Sequence, residues 1–184
     1  MVRELKTNRK DSSKRRSRAL KNIKELLKNN LHEFLRHLEV IQFAFNKLSE
    51  HASFPLTSED LIRLRQDLNA LSLLDSIAYR FSKLQETLGK ILRLYLAYQG
   101  EEVEEIFMRD VINLAEKRGL PINWSKWVKL RVLRNILIHE YEDDSQLIAE
   151  TLNQIQSLLE DLKKLDRKAS VSAKLILASI NLLV

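Results

Sequence analysis

Cysteine is absent from the chain, and glycine (three residues), proline (two) and tryptophan (two) are scarce in its 184 residues. Without cysteine there are no disulfides, thiolate metal sites or cysteine nucleophiles, and a reducing compartment, the cytoplasm, is the expected location. So few glycines and prolines leave little turn chemistry for hairpins, which argues against a sheet-rich fold. No glycine-rich phosphate loop is present, so a self-contained NTPase or nucleotidyltransferase is not expected. No apolar run approaches the roughly 20 residues of a membrane span, and an amphipathic segment, not an apolar signal core, follows the basic N-terminal end.

Leu, Lys, Glu, Arg and Ile dominate, a composition that predicts an all-α protein. The formal charge of +6 is uneven: residues 1–28 carry eleven Lys/Arg against Glu4, Asp11 and Glu25, a net +8, which leaves −2 on the other 156 residues. The basic end is suited to RNA, DNA or an acidic partner, or serves only as a solvated leader. The expected organisation is a flexible basic leader at 1–18, one helical bundle over 19–166 and an apolar extension at 167–184.

Apolar residues at Leu20, Ile23, Leu27, Leu31, Phe34, Leu38, Ile41, Phe45 and Leu48 follow the helical period and predict a first long helix ending before Pro55. Ser58 is a candidate cap for a second, which the pattern carries to Gly100 with a bend near Gly89 and a stripe through Leu68, Leu71, Asp75 and Ala78. Asp75 interrupts that stripe and, if buried there, needs a partner. A third helix is expected over Val103–Arg118 with Val103, Ile106, Phe107, Val111 and Leu114 inward, ended by Gly119. Asn123 or Ser125 is expected to cap the next helix, and Asp143, Asp144 or Ser145 the last. The fold class that follows is an antiparallel bundle of four to six helices.

Chemistry concentrates in one run, Trp127 to Tyr141. On a helix turning about 100° per residue, Trp127, Leu130, Leu133 and Leu137 form one apolar strip, and Val128, Val132 and Ile136 a second on roughly the opposite side. Two apolar sides need two partners, so a second helix or a second subunit is expected against Val128 and Val132. Asn135 and His139 share a face, whereas Arg134 and His139 stand about 140° apart. Arg134 falls in the core-facing arc and needs a partner, for which Asp75 is a candidate. Arginine with histidine suits metal-independent RNA cleavage, in which the 2′-hydroxyl attacks its own phosphate, His moves a proton and Arg holds the developing charge. The blander reading makes His139 and Tyr141 a helix end, where His favours the C-terminal dipole.

The remaining candidates are weaker. His32 and His37 come near a zinc-protease spacing but are one residue too far apart, which puts them about 140° apart on a helix; both are expected at the surface. His51 lies near a helix end as a candidate cap. Tyr79, Tyr95 and Tyr98 are expected in the core or at its rim.

The string Arg134-Asn-Ile-Leu-Ile-His139-Glu-Tyr141 fits R-x4-H-x-Y. In this it resembles HEPN-domain proteins, in particular the HepT toxins of HepT/MntA-type toxin–antitoxin pairs. Trp127, Leu130, Arg131 and the stretch from Asp75 to Glu86 are also similar to that group. The resemblance implies a HEPN-like bundle that forms a homodimer, with Arg134 and His139 as the catalytic pair of an endoribonuclease toxin. Asn135, Arg131 and Asp75 would support that pair, with no metal and no cofactor. Tyr141 would be the residue AMPylated by a cognate nucleotidyltransferase antitoxin. RNA and that enzyme are the expected partners. The alternatives are a non-catalytic HEPN module that binds a nucleotidyltransferase and its substrate, and a helical scaffold whose basic arm holds nucleic acid.

Overall fold

A computed structural model describes residues 2–120, 122–139 and 144–165, with side-chain surroundings for residues 14–120, 122–138 and 144–159. Tyr141 and the apolar extension therefore lie outside the described residues, as does the side chain of His139. Six helices fill the described chain: α1 (Val2–Leu48), α2 (Ser58–Gln66), α3 (Leu68–Tyr98), α4 (Met108–Lys117), α5 (Trp124–His139) and α6 (Ser145–Leu165). The result is an all-α bundle. The apolar period starts the first helix at Leu20, but α1 starts at Val2 and takes in the basic leader.

The centre is α3, which packs against α1, α2, α4 and α5, while α6 closes the far side on α2 and α5. Its buried stripe begins as Ala70, Leu74 and Ile77 and widens to most of the circumference between Phe81 and Leu92. Along α1 the matching stripe is Phe34, His37, Ile41, Ala44 and Leu48, all at most 5% exposed. His37 is thus a core residue and not the surface one its chemistry suggests, because it shares the helical face of Phe34 and Ile41.

The long second helix expected from Ser58 is broken at Asp67. Thr57, not Ser58, caps α2 in a capping box with Asp60, and Asp67 then caps α3 by accepting from the Asn69 amide at 2.9 Å. The restart shifts the helical phase. Leu68 turns outward (78% exposed), Asp75 becomes exposed, and the buried stripe passes to Ala70 and Leu74. Asp75 therefore has no buried charge to neutralise. No bend occurs at Gly89, which lies inside α3.

Two helix ends have the same construction. Gly100 (φ +90°) and Gly119 (φ +81°) adopt left-handed backbone, and each site closes with paired bonds to the preceding turn: Gly100 to Ala97 and Glu101 to Leu96, Gly119 to Glu116 and Leu120 to Ala115. The helix expected from Val103 is α4, which starts at Met108. Residues 101–107 are non-helical, held by the Arg93 guanidinium, which donates to the carbonyls of Val103 and Ile106. Val103 is buried as expected, but Phe107, expected inward, is 82% exposed at the α4 N-cap.

The α1–α2 loop is fastened to α6 by one side chain. Asn153 accepts from the Leu56 amide at 2.7 Å and donates to its carbonyl at 2.9 Å, pairing both backbone groups of a residue only 4% exposed. Asn153→Ala leaves both groups unsatisfied, and urea unfolding is expected to show a loss of about 1–3 kcal/mol. A loss near zero would mean that water replaces the clamp.

Candidate functional site

Helix α5 is capped by Asn123, whose side chain accepts from the Lys126 amide at 3.0 Å. That cap sets the rotation of the helix. Trp127, Leu130, Leu133 and Leu137 are buried as the strip predicts, while Val128 and Val132 on the second strip stay exposed and Ile136 packs partly on the core. The apolar side toward a further partner is therefore uncovered in the single chain.

Trp127 reaches α3 at Gly89. A Cβ at that position would stand 3.4 Å from Trp127 Cη2 and 3.1 Å from Met108 Cε. The glycine is there for close approach of α4 and α5 to α3, not for a bend. Beside this contact the helices part to leave a cleft of about 400 Å³, walled by α3 (Gln85, Glu86, Lys90, Arg93) and α5 (Arg131, Arg134, Asn135).

Arg134 is fixed in that cleft. Its Nε donates to Ser82 Oγ at 3.2 Å and its Nη1 to Asn135 Oδ1 at 3.0 Å. Asp75, the expected partner, is not in this group: it lies seven positions before Ser82 on α3, about 10 Å at 1.5 Å per residue. A neutral hydroxyl and an amide orient the guanidinium and leave its full charge available to a ligand. Arg131 and Asn135, expected as supporting residues, do line the same cleft.

The lining carries four cations (Lys90, Arg93, Arg131, Arg134) and one carboxylate, Glu86. Glu86 is held ionised chiefly by the hydrogen bond from Lys83, with the charges of Lys83, Arg134 and Lys90 adding to it. Two donors of lining residues, Gln85 Nε2 and Trp127 Nε1, are buried without a hydrogen-bond partner. The arrangement suits an oxyanion. Among the described residues no group of three His, Asp or Glu side chains is placed to hold a metal.

α5 remains helical through His139. The rotation of about 140° between residues 134 and 139 therefore stands, and one chain does not bring both to a single atom from the same face. Composition alone does not mark Ser82, Gln85 or Lys90 as site residues. Gly89 carries the one available signal, a glycine inside a helical pattern.

His37 borders a second cleft between α1 and α3. Its Nδ1 lies 3.3 Å from Arg80 Nη1, and its Nε2 is 3.5 Å from Glu33 Oε1 without a hydrogen bond. His51, a candidate cap, instead faces Asp67, with Nδ1 3.0 Å from Oδ2. Tyr95 packs on the core, whereas Tyr79 and Tyr98 are exposed at the rim.

Burial pushes the His37 pKa below its ordinary value of 6.5, and the charges of Arg80 and Lys83 act the same way against Glu33. Above that value both folded and unfolded chains hold a neutral ring. As pH falls through it, the unfolded chain takes up a proton the folded chain refuses, and stability is lost until the folded pKa is passed. Unfolding midpoints are therefore expected to drop between about pH 7 and pH 5 more steeply for the native chain than for His37→Gln. Parallel slopes would show that His37 does not contribute.

Neither family models, nor curated proteins, nor solved structures yield a match to this chain.

Proposed function

We propose that the chain is a metal-independent endoribonuclease of the HEPN kind, similar to HepT toxins, acting as a homodimer. The observation that supports this is the setting of Arg134. Its guanidinium is oriented by Ser82 and Asn135 within a cleft where cations outnumber carboxylates four to one. This is a receptor for a phosphodiester whose negative charge grows in the transition state.

In the reaction, the 2′-hydroxyl oxygen forms a bond to the adjacent phosphorus and the bond to the 5′-oxygen breaks. The products are a cyclic phosphate and a free 5′-hydroxyl. His139 accepts the 2′-proton, and the twin His139 of a dimer returns one to the leaving oxygen. Imidazole is suited to both roles near neutral pH. Arg134 balances charge on the non-bridging oxygens. The exposed strip of Val128 and Val132 supplies an apolar seam for a twofold interface, and a cleft shared between two α5 helices overcomes the angular separation of Arg134 and His139.

Expression of the native chain is expected to slow growth and cleave RNA, with His139→Ala and Arg134→Ala each lowering the cleavage rate by about 10²–10⁴. Equal growth and no cleaved RNA with all three proteins would end the ribonuclease reading. Binding of a nucleotidyltransferase without cleavage would favour a non-catalytic module. Co-expression with a cognate nucleotidyltransferase is expected to add AMP mass to the chain, lost in Tyr141→Phe.

The interface has its own test. Val132→Lys places a charge in the apolar seam, and sedimentation is expected to shift the protein from dimer to monomer with helix content unchanged. An unaltered dimer would move the interface elsewhere, and a native monomer would remove it.

A further inference from the structure

We infer that the cleft between α1 and α3 is a second phosphate subsite, which holds a single-stranded RNA whose reacting phosphate lies at Arg134. The inference rests on the ribonuclease reading for the identity of the strand, but its geometry is separate. The cleft measures about 620 Å³ and is lined by the cations Arg36, Arg80, Lys83 and Lys90 against the carboxylates Glu33 and Glu86, with His37 and Tyr79 beside them.

Its charges are unequally committed. Arg36 is paired with Glu39 at 2.7 Å and Lys83 with Glu86 at 2.8 Å. Arg80 and Lys90 have no carboxylate within ion-pair distance among the described residues. Arg80 instead places Nη1 3.3 Å from His37 Nδ1. A guanidinium has donors only, so Nδ1 is the acceptor and the ring proton belongs on Nε2. That Nε2–H is buried and stands 3.5 Å from Glu33 Oε1, so the ring positions Arg80 and is not itself a donor to a ligand. A guanidinium held by a neutral ring, and not by a carboxylate, keeps its charge for a phosphate oxygen.

Tyr79 completes the subsite. Its ring is 57% exposed, with the Arg80 and Lys83 charges 5.6 and 6.0 Å from its centroid. An exposed ring beside phosphate-binding cations is a stacking platform for a base of any identity. The two clefts are also joined: Glu86 and Lys90 line both. From Arg80 to Lys90 is ten residues of one helix, about 15 Å, so a strand crossing at Lys90 meets cations along its whole path.

Fluorescence anisotropy with a labelled single-stranded RNA of about 12 nucleotides tests this, using the full chain with His139→Ala so that nothing is cleaved. Arg80→Ala is expected to weaken binding at least about fivefold and to reduce the slope of log K against log salt by about 0.7, the loss of one phosphate contact. Lys90→Ala, at an exposed position, carries the same expectation should Arg80→Ala fail to fold. Lys117→Ala on α4 removes the same charge elsewhere and is expected to change neither quantity. Equal effects of Lys117→Ala and Arg80→Ala, or no effect of Arg80→Ala and Lys90→Ala, would overturn the subsite. The two readings separate cleanly. RNA that binds through Arg80 but is never cut by the native chain sinks the ribonuclease alone, and RNA that is cut while binding ignores both residues sinks the subsite alone.

Discussion

Burial of α3 is the constraint on which the rest of the bundle depends. A helix apolar on one face can lie on a surface, but one buried around most of its circumference must be surrounded. Between Phe81 and Leu92, α3 buries Phe81, Ser82, Leu84, Gln85, Thr87, Leu88, Gly89, Ile91 and Leu92. Four helices are recruited to cover it, and Gly89 sets how near α4 and α5 can come by leaving room for Met108 and Trp127. A Cβ there would touch the Trp127 ring at ordinary contact distance and require the Met108 methyl to give by a few tenths of an ångström.

The two clefts follow from the same constraint. Cylinders packed around a cylinder leave seams, and the exposed residues of α3 in these seams are Tyr79, Glu86 and Lys90. One seam runs beside α1 and the other beside α5. Glu86 belongs to both but is bound to Lys83, so the seams keep a positive balance that the chain as a whole, apart from its N-terminal end, does not have. Local charge at α3 therefore owes nothing to the basic leader. Any attraction of the leader for nucleic acid adds to that of the seams without creating it.

Much of this was legible in the sequence, and the parts that were not share a cause. The strip of Trp127, Leu130, Leu133 and Leu137 and the stop at Gly119 rest on local rules and appear in the structure, and of the alternative caps, Asn123 and Asp144 are the ones in place. The stripe through Leu68, Leu71 and Asp75 assumed unbroken helical phase from Ser58. A single extended residue, Asp67, resets that phase, and periodicity has no means of seeing it because Asp is tolerated in either setting. The burial of His37 has a different cause. Its polarity argues for the surface, yet tertiary burial of the Phe34–Ile41 face overrides that preference, leaving a neutral ring beside Arg80. Ser82, which holds Arg134, and the cleft residues Gln85 and Lys90 come from α3, some 50 residues before Arg134, and only packing brings them to it.

The geometry of α5 sharpens what the proposed chemistry demands. Because the helix is regular through His139, five residues separate the arginine and histidine by about 140° of rotation and about 7.5 Å of rise. A phosphate seated against Arg134 faces α3, while residue 139 lies one and a third turns further on and on another side. Extending Arg134 toward the histidine would break its bond to Ser82, which holds it on α3, and its bond to the neighbouring Asn135. The proposed dimer would leave Arg134 where Ser82 places it and bring a second α5 across the Val128–Val132 strip, so that the histidine opposite each arginine would come from the other chain. In such a dimer the apolar strip and the catalytic pair are one requirement: the seam that buries Val132 is also what sets the distance between arginine and histidine.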